Sequence, residues 1–133
     1  MCLFTKQLLP RRAKEPITVY KIVYKSHFQY FTPFMHIPIK LKDRITATGP
    51  LTGCPRFDAN GKYVINTVSK GYIHAYKDFE NAKSWCRFFN KNTSDYKVLM
   101  CVIEPGTLYY ENKYVINNSE ICARSLTIKG VMY

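Results

Sequence analysis

Residues 17–24, ITVYKIVY, place Ile17, Val19, Lys21 and Val23 on one face of a strand and Thr18, Tyr20, Ile22 and Tyr24 on the other, because successive side chains of an extended chain point to opposite sides. Both faces are largely apolar or aromatic, which suits a central position in a sheet, and Pro16 stands where a strand can begin. The next run, SHFQYFTPFMHIPIKLKDRITATG, is interrupted by Pro33 and Pro38. Each lacks a ladder donor, so edge strand or extended loop is expected there. PLTGCPRFDANGKY then gathers Pro, Gly, Asn and Asp, with a strong turn signal in Asn60-Gly61. After that turn KYVINTV and YIHAY have strand character, with Ser69, Lys70 and Gly71 between them.

At Asp78 the period changes. Phe79, Ala82, Trp85, Cys86 and Phe89 line one face of a helix that ends near Asn90. Asp78 is placed to cap the first orphan amides, and Glu80 sits in the first turn, where the helix dipole favours an anion. Phe79, Trp85 and Phe89 are expected to be buried against the strand carrying residues 98–102. YKVLMCVI, residues 96–103, is a continuous apolar run of strand length closed by Pro105-Gly106, and reads as the buried centre of the sheet. TLYYE, KYVIN and ICARSLTI come next, between short polar stretches, and predict an antiparallel meander. The pattern therefore predicts an α+β fold: a mostly antiparallel sheet with one main amphipathic helix packed on it.

Length narrows this to one core. A chain of 133 residues buries roughly two thirds of the surface its unfolded form exposes. Its 47% apolar and 15% aromatic content excludes disorder. The expected organisation is a basic N-terminal arm over residues 1–15 and a single α+β domain over residues 16–133. Twenty Lys and Arg against nine Asp and Glu leave a net charge of +11, which attracts nucleic acid, acidic proteins or anionic nucleotides. Lys6, Arg11, Arg12 and Lys14 form the densest basic patch, in a segment expected to be solvated. Basic and aromatic residues also interleave in YKIVYKSHFQYF, a composition that suits single-stranded nucleic acid as well as ordinary sheet packing.

Cys2, Cys54, Cys86, Cys101 and Cys122 show no CxxC pair and no histidine at ligand spacing, so no metal site is expected. Their odd number, with no signal-like leader, points to reduced, mostly buried thiols in a cytoplasmic protein. No run of about eighteen apolar residues is present, and no membrane span is expected. Neither GxGxxG nor GxxxxGK occurs.

Candidate chemistry centres on YIHAY, where His74 shares a strand face with Tyr72 and Tyr76. An imidazole flanked by two rings suits stacking on a base and proton exchange near neutral pH; a half-buried histidine bonded to backbone is the competing reading. His27 and His36 lie in the Pro-rich stretch. Among the glutamates, Glu80 belongs to the helix start and Glu104 to a turn, which leaves Glu111 and Glu120 as candidate catalytic carboxylates.

The succession ITVYKIV, GYIHAYKDFENAKSW, VLMCVIEPGTLYYE and ARSLTI resembles small uncharacterised proteins of gut bacteria and their phages. That likeness carries no established activity and implies only a phage-related or mobile-element protein; the net charge of +11, with no assembled catalytic set and no cofactor motif, leads to the expectation of an accessory protein that works by binding an acidic protein surface or nucleic acid, without a cofactor. More distantly, the order of an aromatic-led strand, a G-aromatic-x-H strand, a helix with A-x-x-W and a buried strand resembles ADP-ribosyltransferase-like domains. This second resemblance implies an enzyme using NAD, with Tyr72 or Tyr76 stacking the nicotinamide, Lys21 or His74 contacting the ribose, and Glu120 or Glu111 stabilising an oxocarbenium-like transition state. Lys21 stands where that family tends to carry Arg or His, and no Ser-Thr-Ser or ExE pattern is present.

Overall fold

The computed structural model describes residues 3–32, 38–40, 43–47, 52–92, 95–112 and 119–133. Its elements in chain order are β1 (Leu3–Thr5), β2 (Arg11–Arg12), β3 (Ile17–Ser26), β4 (Gln29–Phe31), β5 (Pro38–Ile39), β6 (Arg44–Thr46), β7 (Thr52–Phe57), β8 (Tyr63–Lys70), β9 (Ile73–Tyr76), α1 (Phe79–Phe89), a short 3-10 turn (Asn90–Asn92), β10 (Tyr96–Ile103), β11 (Leu108–Glu111), β12 (Glu120–Ala123) and β13 (Ser125–Val131). All described strand pairs are antiparallel, and α1 is the one α-helix among the described residues, so the fold is α+β as the pattern predicts.

The two most apolar runs pair with each other. β3 and β10 align from Ile17↔Ile103 to Tyr24↔Tyr96, and Val19, Val23, Val98, Leu99, Cys101 and Ile103 are fully buried. Around them the large sheet runs β2-β11-β12-β9-β3-β10-β13-β6, with β4 and β5 attached beside β3. ICARSLTI, expected as one strand, bends at Arg124 and serves two ladders: β12 pairs with β11 and β9, and β13 with β10 and β6. Among the described residues the predicted meander holds for β11 and β12, whereas β13 leaves it to pair with β10 and β6. Because β12 and β13 are one stretch of chain, the circuit β12-β9-β3-β10-β13 returns to its start and closes a small barrel. Closure removes unpaired edges from these strands.

Arg124 holds the corner. Its N–H donates to Leu108 O at 2.9 Å, its carbonyl accepts from Ala47 N–H at 2.9 Å, and its Nη1 donates to Gly71 O at 2.6 Å. Val19, Val23, Leu99, Ile121, Leu126 and Ile128 fill the barrel, with Ile39 and Ile45 from the short strands β5 and β6. These short strands are what the proline-interrupted stretch supplies, in agreement with its edge character. Residues 33–37, including His36, lie outside the described residues, as do the KYVIN segment and Cys2.

Two covers lie outside the barrel wall. α1 packs Ala82 and Cys86 against Ile22, Tyr76 and Val98, with Phe79 and Phe89 partly buried beside them. Asp78 caps it as expected, accepting from the amides of Glu80 and Asn81. Trp85 departs from expectation: it is 44% exposed, because the buried row of the helix runs through Ala82 and Cys86 and leaves Trp85 on its flank. The second cover is a three-stranded sheet, β1-β8-β7, whose Leu3 and Val68 pack on Tyr72, Tyr110 and Cys122. Its strand β7 forms within the stretch whose composition predicts turns. β7 is an edge strand, where Pro55 is tolerated, and it leads into a turn in which Asp58 Oδ1 accepts from the amides of Asn60 and Lys62 and Gly61 takes φ 77°.

Residues before Pro16 are not a solvated arm. Leu3 is fully buried, β1 pairs with β8, β2 pairs with β11, and the Thr5 hydroxyl donates to Glu111 O. Lys6, Arg11, Arg12 and Lys14 are exposed, as are Phe4, Leu8, Leu9 and Glu15, while Leu3, Thr5 and Ala13 are buried. Short apolar positions between the charges supply partners for otherwise open ladders, which a count of charge does not reveal.

Candidate functional site

Arg11 and Arg12 form the outermost strand of the large sheet and stand opposite Tyr109 and Leu108. Ala13 pins them there. It donates through N–H to Thr107 O at 2.9 Å and accepts from Gly106 N–H at 2.7 Å, while its methyl group enters the barrel core. Gly106 has φ 88°, a turn conformation that a side chain would strain, and its carbonyl accepts from Arg12 Nη1 at 2.9 Å. The chain then passes through Glu15 and Pro16 into β3 and so builds the wall of an open cleft of about 830 Å³, lined by Arg11, Arg12, Lys14, Glu15, Pro16, Ile17 and Tyr109.

Three cationic residues and one acidic residue line this cleft; as neighbours on β2, Arg11 and Arg12 point to opposite faces, and Arg12 turns to the Gly106 carbonyl. The two guanidiniums offer planar arrays of donors that match carboxylate or phosphate oxygens, and the partly buried Tyr109 ring supplies a flat apolar wall beside Arg11. Neither histidine nor cysteine lines it. The chemistry of these donors suits carboxylate or phosphate oxygens. Lys6, grouped with these residues by sequence, lies apart from them, with Nζ donating to Val64 O at 3.3 Å beside the small sheet. Tyr109 carries no sequence signal beyond strand propensity, since only the β2–β11 register sets it next to Arg11.

The residues implied by the transferase resemblance divide between the two faces of the barrel wall. Tyr72, His74, Tyr76 and Glu120 point outward: Glu120 stands opposite Tyr76, and His74 opposite the outward Cys122. Lys21 and Glu111 point inward, opposite Leu99 and Ile121. The tyrosines are covered separately, Tyr72 beneath the small sheet in edge contact with Tyr110 (5.2 Å, 75°), Tyr76 beneath α1. Burial pushes both phenols up to about 12, with Tyr110 adding to the effect on Tyr72 and Glu120 to that on Tyr76. His74 is half-buried between the two covers, and its carbonyl accepts from Lys21 Nζ at 2.8 Å. Burial lowers the Lys21 ammonium from 10.5 to about 8, against an opposing influence of Cys101. Glu111 is occupied by Lys77, whose Nζ lies 3.1 Å from Oε1.

YIHAY is thus the floor beneath two covers. Of the described cysteines, Cys86, Cys101 and Cys122 are buried and Cys54 is exposed; burial raises the thiols of the first three, so they are poor nucleophiles. Among the described residues no cluster of three or more His, Cys, Asp or Glu is arranged for a metal ion, and no helix is long and apolar enough to cross a membrane. Comparison with protein-family models, with curated proteins and with solved structures found no match.

Proposed function

We propose that this protein is a binding module that receives an anionic partner in the cleft between β2 and the start of β3. The observation that carries this reading is the lining of one open cleft by Arg11, Arg12 and Lys14 beside Tyr109, in a chain of net charge +11. The field of the whole chain draws the partner in, and the guanidiniums grip it. The cleft lies at the rim of a closed barrel, on backbone held by the Ala13, Thr107 and Gly106 bonds, so its geometry is set before any partner arrives.

Binding of a fluorescent polyanion, an oligonucleotide or poly-glutamate, measured across a series of salt concentrations tests this. Affinity is expected to fall steeply with salt, and the double charge reversal Arg11→Glu with Lys14→Glu is expected to weaken it by about tenfold or more and flatten its salt dependence. Affinity indifferent to both salt and charge reversal would reject the cleft as the site.

A further inference from the structure

A second surface lies at the far end of β3, on the outer side of the barrel. Seven residues of strand separate Ile17 at the cleft from Tyr24, a distance of roughly 23 Å. Tyr24 belongs to a continuous row of rings. Phe88 and Phe89 both touch Trp85, with centroids 5.8 and 6.0 Å away; Phe89 meets Tyr96 at 5.2 Å; Tyr96 meets Tyr24 at 6.2 Å; and Tyr24 stacks on Phe31 at 5.4 Å with planes 22° apart. The row crosses from α1 over β10 and β3 to β4. It is not sealed: Trp85 is 44% and Phe88 57% exposed, and beyond Phe31 the β3–β4 hairpin tip carries Phe28 wholly in solvent.

Cations accompany the rings. Lys83, Arg87 and Lys91 recur every fourth residue on α1 and the turn after it, about 6 Å apart along the axis, a spacing comparable to that of successive phosphates on an extended strand. They lie over ring faces: Lys83 and Arg87 over Tyr133 at 5.2 and 5.7 Å, and Lys91 over Phe88 at 5.5 Å. Arg87 Nε also donates to the Tyr133 hydroxyl at 3.2 Å, which leaves its other guanidinium donors for a ligand.

We infer that this ridge binds single-stranded nucleic acid, with unpaired bases stacking on Trp85 and Phe88 and phosphates meeting the Lys83–Arg87–Lys91 stripe. Charge complementarity favours this occupant: Lys83, Arg87 and Lys91 supply phosphate contacts on the same helix that exposes the Trp85 and Phe88 rings, the two kinds of contact an unpaired nucleotide makes. The partly exposed Trp85 and Phe88 rings and the positive charge beside them together select unpaired bases over duplex, whose bases are already stacked.

Trp85 is the single tryptophan of the chain, so its fluorescence reports on the ridge directly. Titration with an oligothymidylate of about fifteen nucleotides is expected to quench it saturably. Phe88→Ala, at an exposed position where folding is retained, is expected to weaken binding about fivefold or more, and Lys83→Glu with Lys91→Glu to weaken it further and lower the salt slope. Charge reversal of Arg11 and Arg12 at the separate cleft is expected to leave the quenching in place, so the two surfaces fail independently. The inference is overturned if the oligothymidylate leaves Trp85 unquenched, if a duplex of equal length quenches as well, if poly-glutamate displaces the strand at equal charge, or if Trp85 emission changes with protein concentration alone, as it would for a second copy seated there.

Discussion

Replacing Lys21 by Met is expected to make the protein more stable at neutral pH and less stable in alkali. Lys21 is 8% exposed, flanked on the inner face of β3 by Val19 and Val23, and its Nζ donates to His74 O at 2.8 Å. Holding an ammonium there lowers its pKa from 10.5 to about 8, which at about 1.4 kcal/mol per pH unit opposes folding by roughly 3 kcal/mol below pH 8. Between pH 8 and 10.5 the unfolded chain keeps this proton and the folded chain has released it, so stability contributed by this residue rises with pH and the penalty is gone above 10.5. Methionine fills a similar volume without the charge but forfeits the bond to His74 O, a loss of about 1–2 kcal/mol. The expected difference is a gain of about 1–2 kcal/mol at pH 7 that reverses sign on the way to about pH 10.5. Urea denaturation of both proteins at pH 7, 8, 9 and 10.5 measures it. The Cys101 thiol and the Tyr72 and Tyr76 phenols, raised to about 12, titrate above this window and largely cancel in the difference. A stability difference that does not vary with pH would refute the assignment of a buried, charge-penalised Lys21.

Trp85→Ala is expected to cost only about 1–2 kcal/mol, because nearly half of the ring is already in water, whereas Leu99→Ala, at a fully buried position of the barrel, is expected to cost about 2–5 kcal/mol; equal losses in chemical denaturation would contradict the helix orientation. Removing the side chain of Arg124 leaves Gly71 O without its charged donor at the barrel corner, so Arg124→Ala is expected to destabilise by about 1–3 kcal/mol and to speed amide exchange in β12 and β13, and an unchanged exchange pattern would remove it from that role.

The recognisable parts are those governed by neighbours in the chain. The alternation in ITVYKIVY and the apolar run YKVLMCVI mark β3 and β10 as central strands, and Asp78 marks the start of α1, because extended and helical periods and the capping bond involve only residues close in sequence. Even there a limit shows at Trp85. A helix face drawn at spacings of three and four is wide enough to include a flank, and only the position of β3 and β10 beneath α1 decides which side of it is buried. The Tyr-His-Tyr alternation of YIHAY is readable as well. That its tyrosines lie under separate covers is not, since the covering residues Leu3 and Ala82 are far apart in the chain.

Period, capping and composition, then, are enough to determine an α+β chain with a basic surface, two central strands and one capped helix. Tertiary structure alone decides that residues 120–131 bend at Arg124 and close a barrel, that Arg11 meets Tyr109, that Lys21 and Glu111 face away from His74 and Glu120, and that six rings from four elements form one row. Strand propensity names no partner: register is a choice among distant segments, settled by which pairing buries apolar rows together and satisfies every ladder donor at once. Sites assembled across such pairings are therefore properties of the closed sheet, while the residues that enter them look in the sequence like ordinary charge and ordinary core.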